Sequence, residues 1–155
     1  LTDPRVSALL PAWCRELTRL APAFEAVPTH PLIHGDVVVT NVILSPDGVP
    51  RLIDFEWSGP GDTAKDLALI GGRVTGGPWY LPMTPDDVAA FVTEYSRYSR
   101  HAGAIDPQQL LARRDAYELL DRMGNLLYCL SRPGEARYGR WADDLACNLT
   151  DRLAD

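Results

Sequence analysis

Residues 32–57 read LIHGDVVVTNVILSPDGVPRLIDFEW, and this stretch decides the fold because turn residues interrupt its apolar runs. Two runs rich in β-formers, 42–44 and 49–55, flank the sequence Pro-Asp-Gly at 46–48. Proline presets a turn angle, and the glycine that follows Asp can adopt the left-handed conformation. The pattern therefore predicts a tight β-hairpin.

The register of this hairpin follows from the length of its loop. With a three-residue loop, Ser45 pairs with Val49, and counting along the ladder places Asn41 opposite Ile53. Asp54 then lies within one residue of Asn41 at the open end of the hairpin. Mg²⁺ is bound by a few carboxylate or amide oxygens together with phosphate and water, so the hairpin predicts a magnesium site.

The spacing of polar residues around the hairpin indicates phosphoryl transfer. His34, Asp36 and Asn41 fit the pattern H-x-D-x-x-x-x-N, and Asp54 follows on the next strand. In kinase-type chemistry one Asp accepts the hydroxyl proton, an Asn five residues later binds magnesium, and a second Asp binds the magnesium that bridges the phosphates. The order of the residues thus predicts Asp36 as the catalytic base and Asn41 and Asp54 as ligands of Mg²⁺ and contacts of ATP. We interpret His34 as a brace of the Asp36 turn.

An ordered set of short motifs extends this pattern: His34-Gly35-Asp36, Asn41, Ile53-Asp54-Phe55-Glu56, Gly61-Asp62 and Asp66-Leu67-Ala68. The set, which lies within residues 32–70, resembles the aminoglycoside phosphotransferase / choline kinase group of small-molecule kinases. The resemblance implies the C-terminal lobe of a protein-kinase-like fold, with ATP and Mg²⁺ as cofactors and a hydroxyl-bearing small molecule as substrate. It also implies that Asp66 is a buried anchor for the catalytic-loop backbone.

Two further acidic residues, Glu56 and Asp62, each have two possible roles. Glu56 follows Asp54 at the end of an apolar strand, where an unpaired carboxylate is costly to bury. A supporting or substrate-contacting role and an exposed position are equally open for Glu56. Asp62 is expected to cap the helix that follows it, with a supporting role at the site as the alternative.

The remainder of the chain is mostly helical, which gives an α+β class with one small hairpin. Apolar residues at three- and four-residue spacing predict helices over about 4–20, 63–70, 84–100, 106–131 and 135–153. The fourth helix is expected to bury Leu110, Tyr117, Leu120, Met123, Leu127 and Leu130. We expect one domain over 1–155, with the catalytic loop and hairpin at about 32–57 and a helical substrate-binding part at about 62–155. The substrate cleft is expected to be lined by the last three helices.

The first 33 residues contain neither Lys nor Gly. ATP binding in this fold needs a phosphate-covering loop and a strand Lys, so the nucleotide lobe is expected to be absent and the fragment inactive alone. Two other classes stay open. One is a catalytically silent kinase-like binding or scaffold domain, and the other is a metal-dependent hydrolase built on Asp36, Asp54 and Glu56.

Composition limits the partners of the 155-residue chain. It has 21 acidic and 15 basic residues and a net charge of −6, which disfavours nucleic acid and makes a cationic acceptor, such as an aminoglycoside or amino alcohol, plausible. No apolar run approaches the length of a membrane span, and no signal peptide is visible. Three cysteines without a CxxC pattern are expected to be buried thiols in a reducing compartment, so the expected location is the cytoplasm.

Overall fold

The computed structural model of this chain describes residues 3–27, 30–99 and 106–154. Within these ranges lie five α-helices: α1 (Pro4–Leu20), α2 (Thr63–Leu69), α3 (Pro85–Tyr98), α4 (Pro107–Leu130) and α5 (Ala136–Ala154). Helix α2 begins at the predicted capping residue, Asp62, and α3 also begins at a residue with a capping side chain. Asp62 accepts a hydrogen bond from the Ala64 amide at the start of α2, and Thr84 forms a capping box at the start of α3.

Six short strands form three two-stranded pairs in the described part of the chain. The strands are β1 (His30–Ile33), β2 (Val42–Leu44), β3 (Pro50–Leu52), β4 (Gly59–Gly61), β5 (Gly71–Gly72) and β6 (Leu81–Pro82). The predicted hairpin is the antiparallel pair β2–β3. The pairs β1–β4 (antiparallel) and β5–β6 (parallel) join segments that are distant in sequence, and no local turn pattern marks them.

The predicted register of the hairpin is confirmed. The Ser45 amide donates to the Val49 carbonyl at 3.0 Å, and the Ile53 amide donates to the Asn41 carbonyl at 3.0 Å. Gly48 closes the turn with a φ of 79°, a left-handed angle that glycine adopts without steric cost.

The predicted extent of the second strand is wrong. Strand β3 ends at Leu52, and Asp54 has φ 64° and ψ 65°. This left-handed residue cannot continue a strand, and Phe55–Trp57 form a 3₁₀ turn instead. Asp54 is the single non-glycine residue with a positive φ among the described residues, and Asp is one of the few side chains that tolerate this conformation.

Helix α4 lies at the centre of the fold and packs against α1, α2, α3 and α5. The predicted buried face of α4 is confirmed at Leu110 and Met123 and wrong at Leu120 and Leu127, which are 45% and 38% exposed. Because α4 has neighbours on several sides, its buried surface is wide and includes charged residues, so the apolar pattern alone does not delimit it.

Buried arginines join α4 to its neighbours. The Arg113 guanidinium donates to the Asp62 carboxylate at 2.8 Å, which joins α4 to the start of α2. Arg114 donates to the Gly71 carbonyl of β5 and pairs with Glu118 of its own helix at 2.6 Å. The side chains of both pairs are at most 3% exposed. Each charge has an opposite charge within hydrogen-bonding distance, which offsets the cost of burial. Asp62 therefore both caps α2 and fixes it to α4.

The expectation that the three cysteines are buried is confirmed for one of them and wrong for two. Cys129 is buried, but Cys14 and Cys147 are exposed on the outer faces of their helices. All three are free thiols. None of the helices in the described ranges combines the length and apolar character needed to cross a bilayer.

Candidate active site

The backbone before Asp36 is held by helix α2. The Asp66 carboxylate accepts the amide of His34 at 2.7 Å and that of Gly35 at 2.8 Å. Gly35 has a φ of 84°, and a Cβ at this position would lie 2.3 Å from the Trp57 carbonyl oxygen. The close approach requires glycine here. These contacts support the predicted anchoring role of Asp66.

His34 links this loop to the end of the hairpin. Its imidazole is 4% exposed and packs on the Phe55 ring with 4.4 Å between centroids. Nδ1 accepts the Asp36 amide at 3.3 Å, so Nε2 carries the proton and donates to the Ile53 carbonyl at 2.8 Å. The loop before Asp36 and the segment before Asp54 are therefore fixed to one another.

Asn41 connects the two segments that carry the carboxylates. Its Nδ2 donates to the Asp36 backbone carbonyl at 3.0 Å and to Asp36 Oδ2 at 2.9 Å. Both amide hydrogens are thus used, and the side-chain oxygen Oδ1 is left to accept other partners. The backbone carbonyl of Asn41 accepts the Ile53 amide, so Asp54 follows directly on the residue paired with Asn41.

The expectation that Asp54 lies in an apolar strand end, away from the surface, is wrong, and for Glu56 the structure shows the exposed position that was one of its two open alternatives. Both residues are exposed, because no layer of the described chain covers the hairpin. No donor in the described ranges contacts the Asp54 carboxylate, so its oxygens are available to a ligand. An amide oxygen and a free carboxylate are hard donors, so Asn41 and Asp54 suit Mg²⁺ completed by phosphate and water.

A metal-dependent hydrolase would need several metal-binding side chains close together. In the described part of the chain, no three His, Cys, Asp or Glu residues lie close enough to hold a metal ion together. Asp36, Asp54 and Glu56 are all described and do not form such a group.

A cleft of about 240 Å³ opens beside Asp36. Its walls come from the catalytic loop, the segment before β6 and helix α4: Asp36, Val38, Thr40, Asn41, Trp79, Tyr80, Asp121 and Asn125. The last three helices were expected as walls of the substrate cleft, and of these only α4 contributes residues to this cleft. Helices α3 and α5 both pack against α4, and Trp141 of α5 contacts Trp79 in the cleft wall.

Three residues of this cleft were not recognised from the sequence: Tyr80, Asp121 and Asn125. Asp121 Oδ2 accepts hydrogen bonds from the Tyr80 hydroxyl at 2.7 Å, from Arg122 at 2.6 Å and from Asn125 at 3.3 Å. Asn125 also donates to the Tyr80 hydroxyl. Asp121 and Asn125 are four residues apart on one helix face, and that spacing is the one signal the sequence offered.

Burial raises the pKa of the Tyr80 hydroxyl far above its ordinary value, and the nearby Asp121 charge acts in the same direction. Arg122 opposes this shift without cancelling it. The raised pKa agrees with the geometry, in which the Tyr80 hydroxyl donates to Asp121.

The hairpin and its flanks expose eight large apolar side chains. They are Leu32, Ile43, Leu44, Val49, Leu52, Ile53, Phe55 and Trp57, each between 40% and 69% exposed. Single exposed apolar residues are common, whereas eight of them within residues 32–57 form an unusual concentration for a protein surface.

Comparison with known proteins identifies the class of this chain. The sequence model of the phosphotransferase enzyme family (APH) matches residues 1–117, which is well over half of the 155 residues. The chain belongs to this family.

Particular relatives are small-molecule kinases by name. Thiamine kinases from Escherichia coli O17:K52:H18 (strain UMN026 / ExPEC) and Shigella boydii serotype 4 (strain Sb227) are each 31% identical over 137 residues. Each alignment covers 85% of this chain and 44% of the relative. The chain thus spans less than half the length of these relatives.

A solved structure shares the fold. The apo form of a thermostable mutant of the aminoglycoside phosphotransferase APH(4)-Ia superposes with a TM-score of 0.55 at 18% identity. The match covers all of this chain and 47% of that protein. The fold is therefore that of the C-terminal lobe of a protein-kinase-like enzyme, as the motifs predicted.

Proposed function

We propose that this chain is the C-terminal lobe of a small-molecule kinase that transfers the γ-phosphoryl group of ATP to a hydroxyl. The observation that carries the proposal is the double connection of Asn41. Its side chain donates a hydrogen bond to the Asp36 carboxylate. Its backbone carbonyl accepts a hydrogen bond from the amide of Ile53, the residue that precedes Asp54. One residue thereby links the proposed base to the segment that carries Asp54, and Asp36 and Asn41 both line the cleft.

In the proposed reaction, Asp36 orients the acceptor hydroxyl and takes its proton. As the new O–P bond forms, the bond between the β- and γ-phosphates breaks and ADP leaves. Asn41 fixes the Asp36 carboxylate, and its Oδ1 would hold Mg²⁺ together with Asp54. When bound, the ion supplies positive charge to the phosphate oxygens. Positioning and electrostatics account for most of the acceleration.

The nucleotide lobe is proposed to come from another part of a longer protein. The eight exposed apolar side chains of the hairpin and its flanks support a second lobe that packs against them. A two-stranded hairpin without a packing partner is only marginally stable in water. The curated relatives, more than twice as long as the matched segment, have room for a second lobe. We expect residues 1–155 alone to transfer no phosphate, and phosphorylation of any hydroxyl acceptor by this fragment would overturn the two-lobe proposal.

The test of the site uses the complete polypeptide that carries this chain. Asp36→Asn and Asp54→Asn should each lower acceptor-dependent ADP release by roughly 100- to 10,000-fold, the range for loss of a proton-transfer or charge-stabilising group. Asp47→Asn is the matched control, because Asp47 is an exposed carboxylate in the turn of the same hairpin. Near-normal turnover in either site variant would refute the assigned roles.

The silent-scaffold alternative makes a different prediction for the same protein. A scaffold would bind Mg·ATP without forming a phosphorylated alcohol. Calorimetric titration with Mg·ATP, followed by chromatographic analysis of thiamine and amino alcohols incubated with the protein, separates these outcomes. Binding without any phosphorylated product would favour the scaffold.

A further inference from the structure

A second pocket, of about 250 Å³, lies where α1 and α5 end, and it shares no lining residue with the cleft at the catalytic loop. Its lining residues are Glu16, Arg19, Arg73, Arg152 and Leu153. Arg19 is in the last turn of α1, Arg152 is in the last turn of α5, and Arg73 follows β5. The chain as a whole has a net charge of −6, so three guanidinium groups and one carboxylate around a single cavity form an unusual concentration of positive charge.

Arg152 is buried without a close acceptor. Its side chain is 9% exposed, and its Nε has no hydrogen-bond partner among the described residues. Its contacts with acidic groups are long, because Nη2 lies 3.3 Å from the Asp115 carboxylate and 3.6 Å from that of Glu16. Hydrogen bonds between a guanidinium and a carboxylate are normally about 2.7–2.9 Å long. The charge of Arg152 is thus largely removed from water and only partly balanced by these two acids.

Both carboxylates near Arg152 bind another arginine more closely. Glu16 accepts hydrogen bonds from Arg19 through both of its oxygens, at 2.7 Å and 2.8 Å. Asp115 accepts a hydrogen bond from Arg114 at 2.9 Å. Because each acid already has a nearer partner, Arg152 only shares their charge. An anion in the pocket that Arg152 lines would supply the acceptor that a buried guanidinium requires.

We propose that this pocket binds a phosphate group, as inorganic phosphate or as the phosphoryl end of a small metabolite, between Arg73 and Arg152. Guanidinium groups recognise phosphate oxygens through paired N–H donors, and the small volume of the pocket restricts the ligand to a small molecule. The inference is independent of the proposed kinase function, because the lining of the pocket includes none of the proposed catalytic and metal-binding residues. A bound phosphate joins the ends of α1 and α5 to the segment after β5.

Two features of the pocket weaken the attraction for an anion. Glu16 lines it, and the C-terminal ends of α1 and α5 add partial negative charge from their backbone carbonyls. The paired hydrogen bonds from Arg19 offset the charge of Glu16, so the helix ends are the main opposing charge. We therefore expect a Kd of about 1 mM for inorganic phosphate, as for a few charge-assisted hydrogen bonds reduced by these costs.

Calorimetric titration of the complete polypeptide with sodium phosphate measures this binding. Sodium chloride at matched ionic strength is the reference, and saturating Mg·ADP is present so that nucleotide-binding groups are occupied. Arg152→Gln should raise the Kd for phosphate by at least about 10-fold, the effect of losing one charge-assisted hydrogen bond. A parallel titration with glycerol 3-phosphate distinguishes the two sources. Tighter binding of this ester would assign the site to a phosphorylated metabolite, and tighter binding of phosphate would assign it to the inorganic ion.

Arg73→Gln keeps the test decisive if the buried Arg152→Gln variant fails to fold, because Arg73 is only half-buried. It should also raise the Kd for phosphate by about 10-fold. Arg140→Gln is the matched control, since Arg140 is an exposed arginine of α5 outside the pocket, and it should leave the Kd unchanged. Circular dichroism shows whether each variant is folded. The proposal is overturned if wild type binds phosphate no better than chloride, or if Arg73→Gln and Arg140→Gln have equal effects.

Discussion

The anchoring of the catalytic loop by Asp66 leads to a quantitative prediction. In Asp66→Asn, one of the two carboxylate oxygens becomes an NH₂ group, which cannot accept the amide of His34 or Gly35. In the unmodified protein, each of these two amides lies within 2.8 Å of an Asp66 carboxylate oxygen. The variant therefore leaves one backbone N–H facing a second donor in a partly buried site.

The size of the effect follows from the hydrogen bonds that change. A hydrogen bond to a charged group contributes about 1.5–3 kcal/mol, and the second bond is retained in a weaker, neutral form. We expect the loop to open more easily by about 2–3 kcal/mol, which corresponds to roughly 30- to 150-fold. Helix α2 should stay folded because its cap, Asp62, is unchanged.

Amide hydrogen exchange followed by NMR measures this opening directly. The amides of His34 and Gly35 should exchange faster by the stated factor, and kcat of the complete protein should fall by about 10- to 100-fold as Asp36 loses its fixed position. Asp86→Asn, which removes an exposed charge on α3, should change neither quantity. Unchanged exchange at both amides in Asp66→Asn would refute the anchoring argument.

Three further predictions concern stability. Glu118→Gln removes the fully buried partner of an arginine and should lower the free energy of unfolding in urea by about 3 kcal/mol; a loss under about 1 kcal/mol would contradict the argument. Gly35→Ala forces a side chain toward the Trp57 carbonyl in a left-handed conformation, so denaturation should show a loss of more than about 2 kcal/mol, and a wild-type melting curve would argue against it. A hydrogen bond from Arg19 lowers the pKa of Glu16 below its usual 4.5. The ion pair therefore stabilises the folded protein above pH 4.5, and this stabilisation is lost as the pH falls through the lowered pKa. Glu16→Gln should flatten this acid limb of the stability–pH curve, and an unchanged slope would show that the pair contributes nothing.

The hairpin shows how far local sequence reasoning extends. Its turn, its register and the proximity of Asn41 and Asp54 along the ladder all depend on residues within about a dozen positions of one another. Turn chemistry and strand pairing at this range are set by backbone angles that Pro and Gly impose. The sequence could not show where β3 ends, because the left-handed Asp54 is held by contacts of its neighbours with His34.

The order of motifs, the hairpin and the helix caps were determined by the sequence itself, since each arises from neighbours in the chain. The tertiary structure alone decided how wide the buried surface of α4 is, where the cleft opens and that Tyr80 meets Asp121. These two residues are 41 positions apart, and the buried Arg122 of α4 donates to the Val74 and Ala68 carbonyls in the segment that precedes Tyr80. Such contacts depend on the packing of several elements at once, so no pattern within a single segment can specify them.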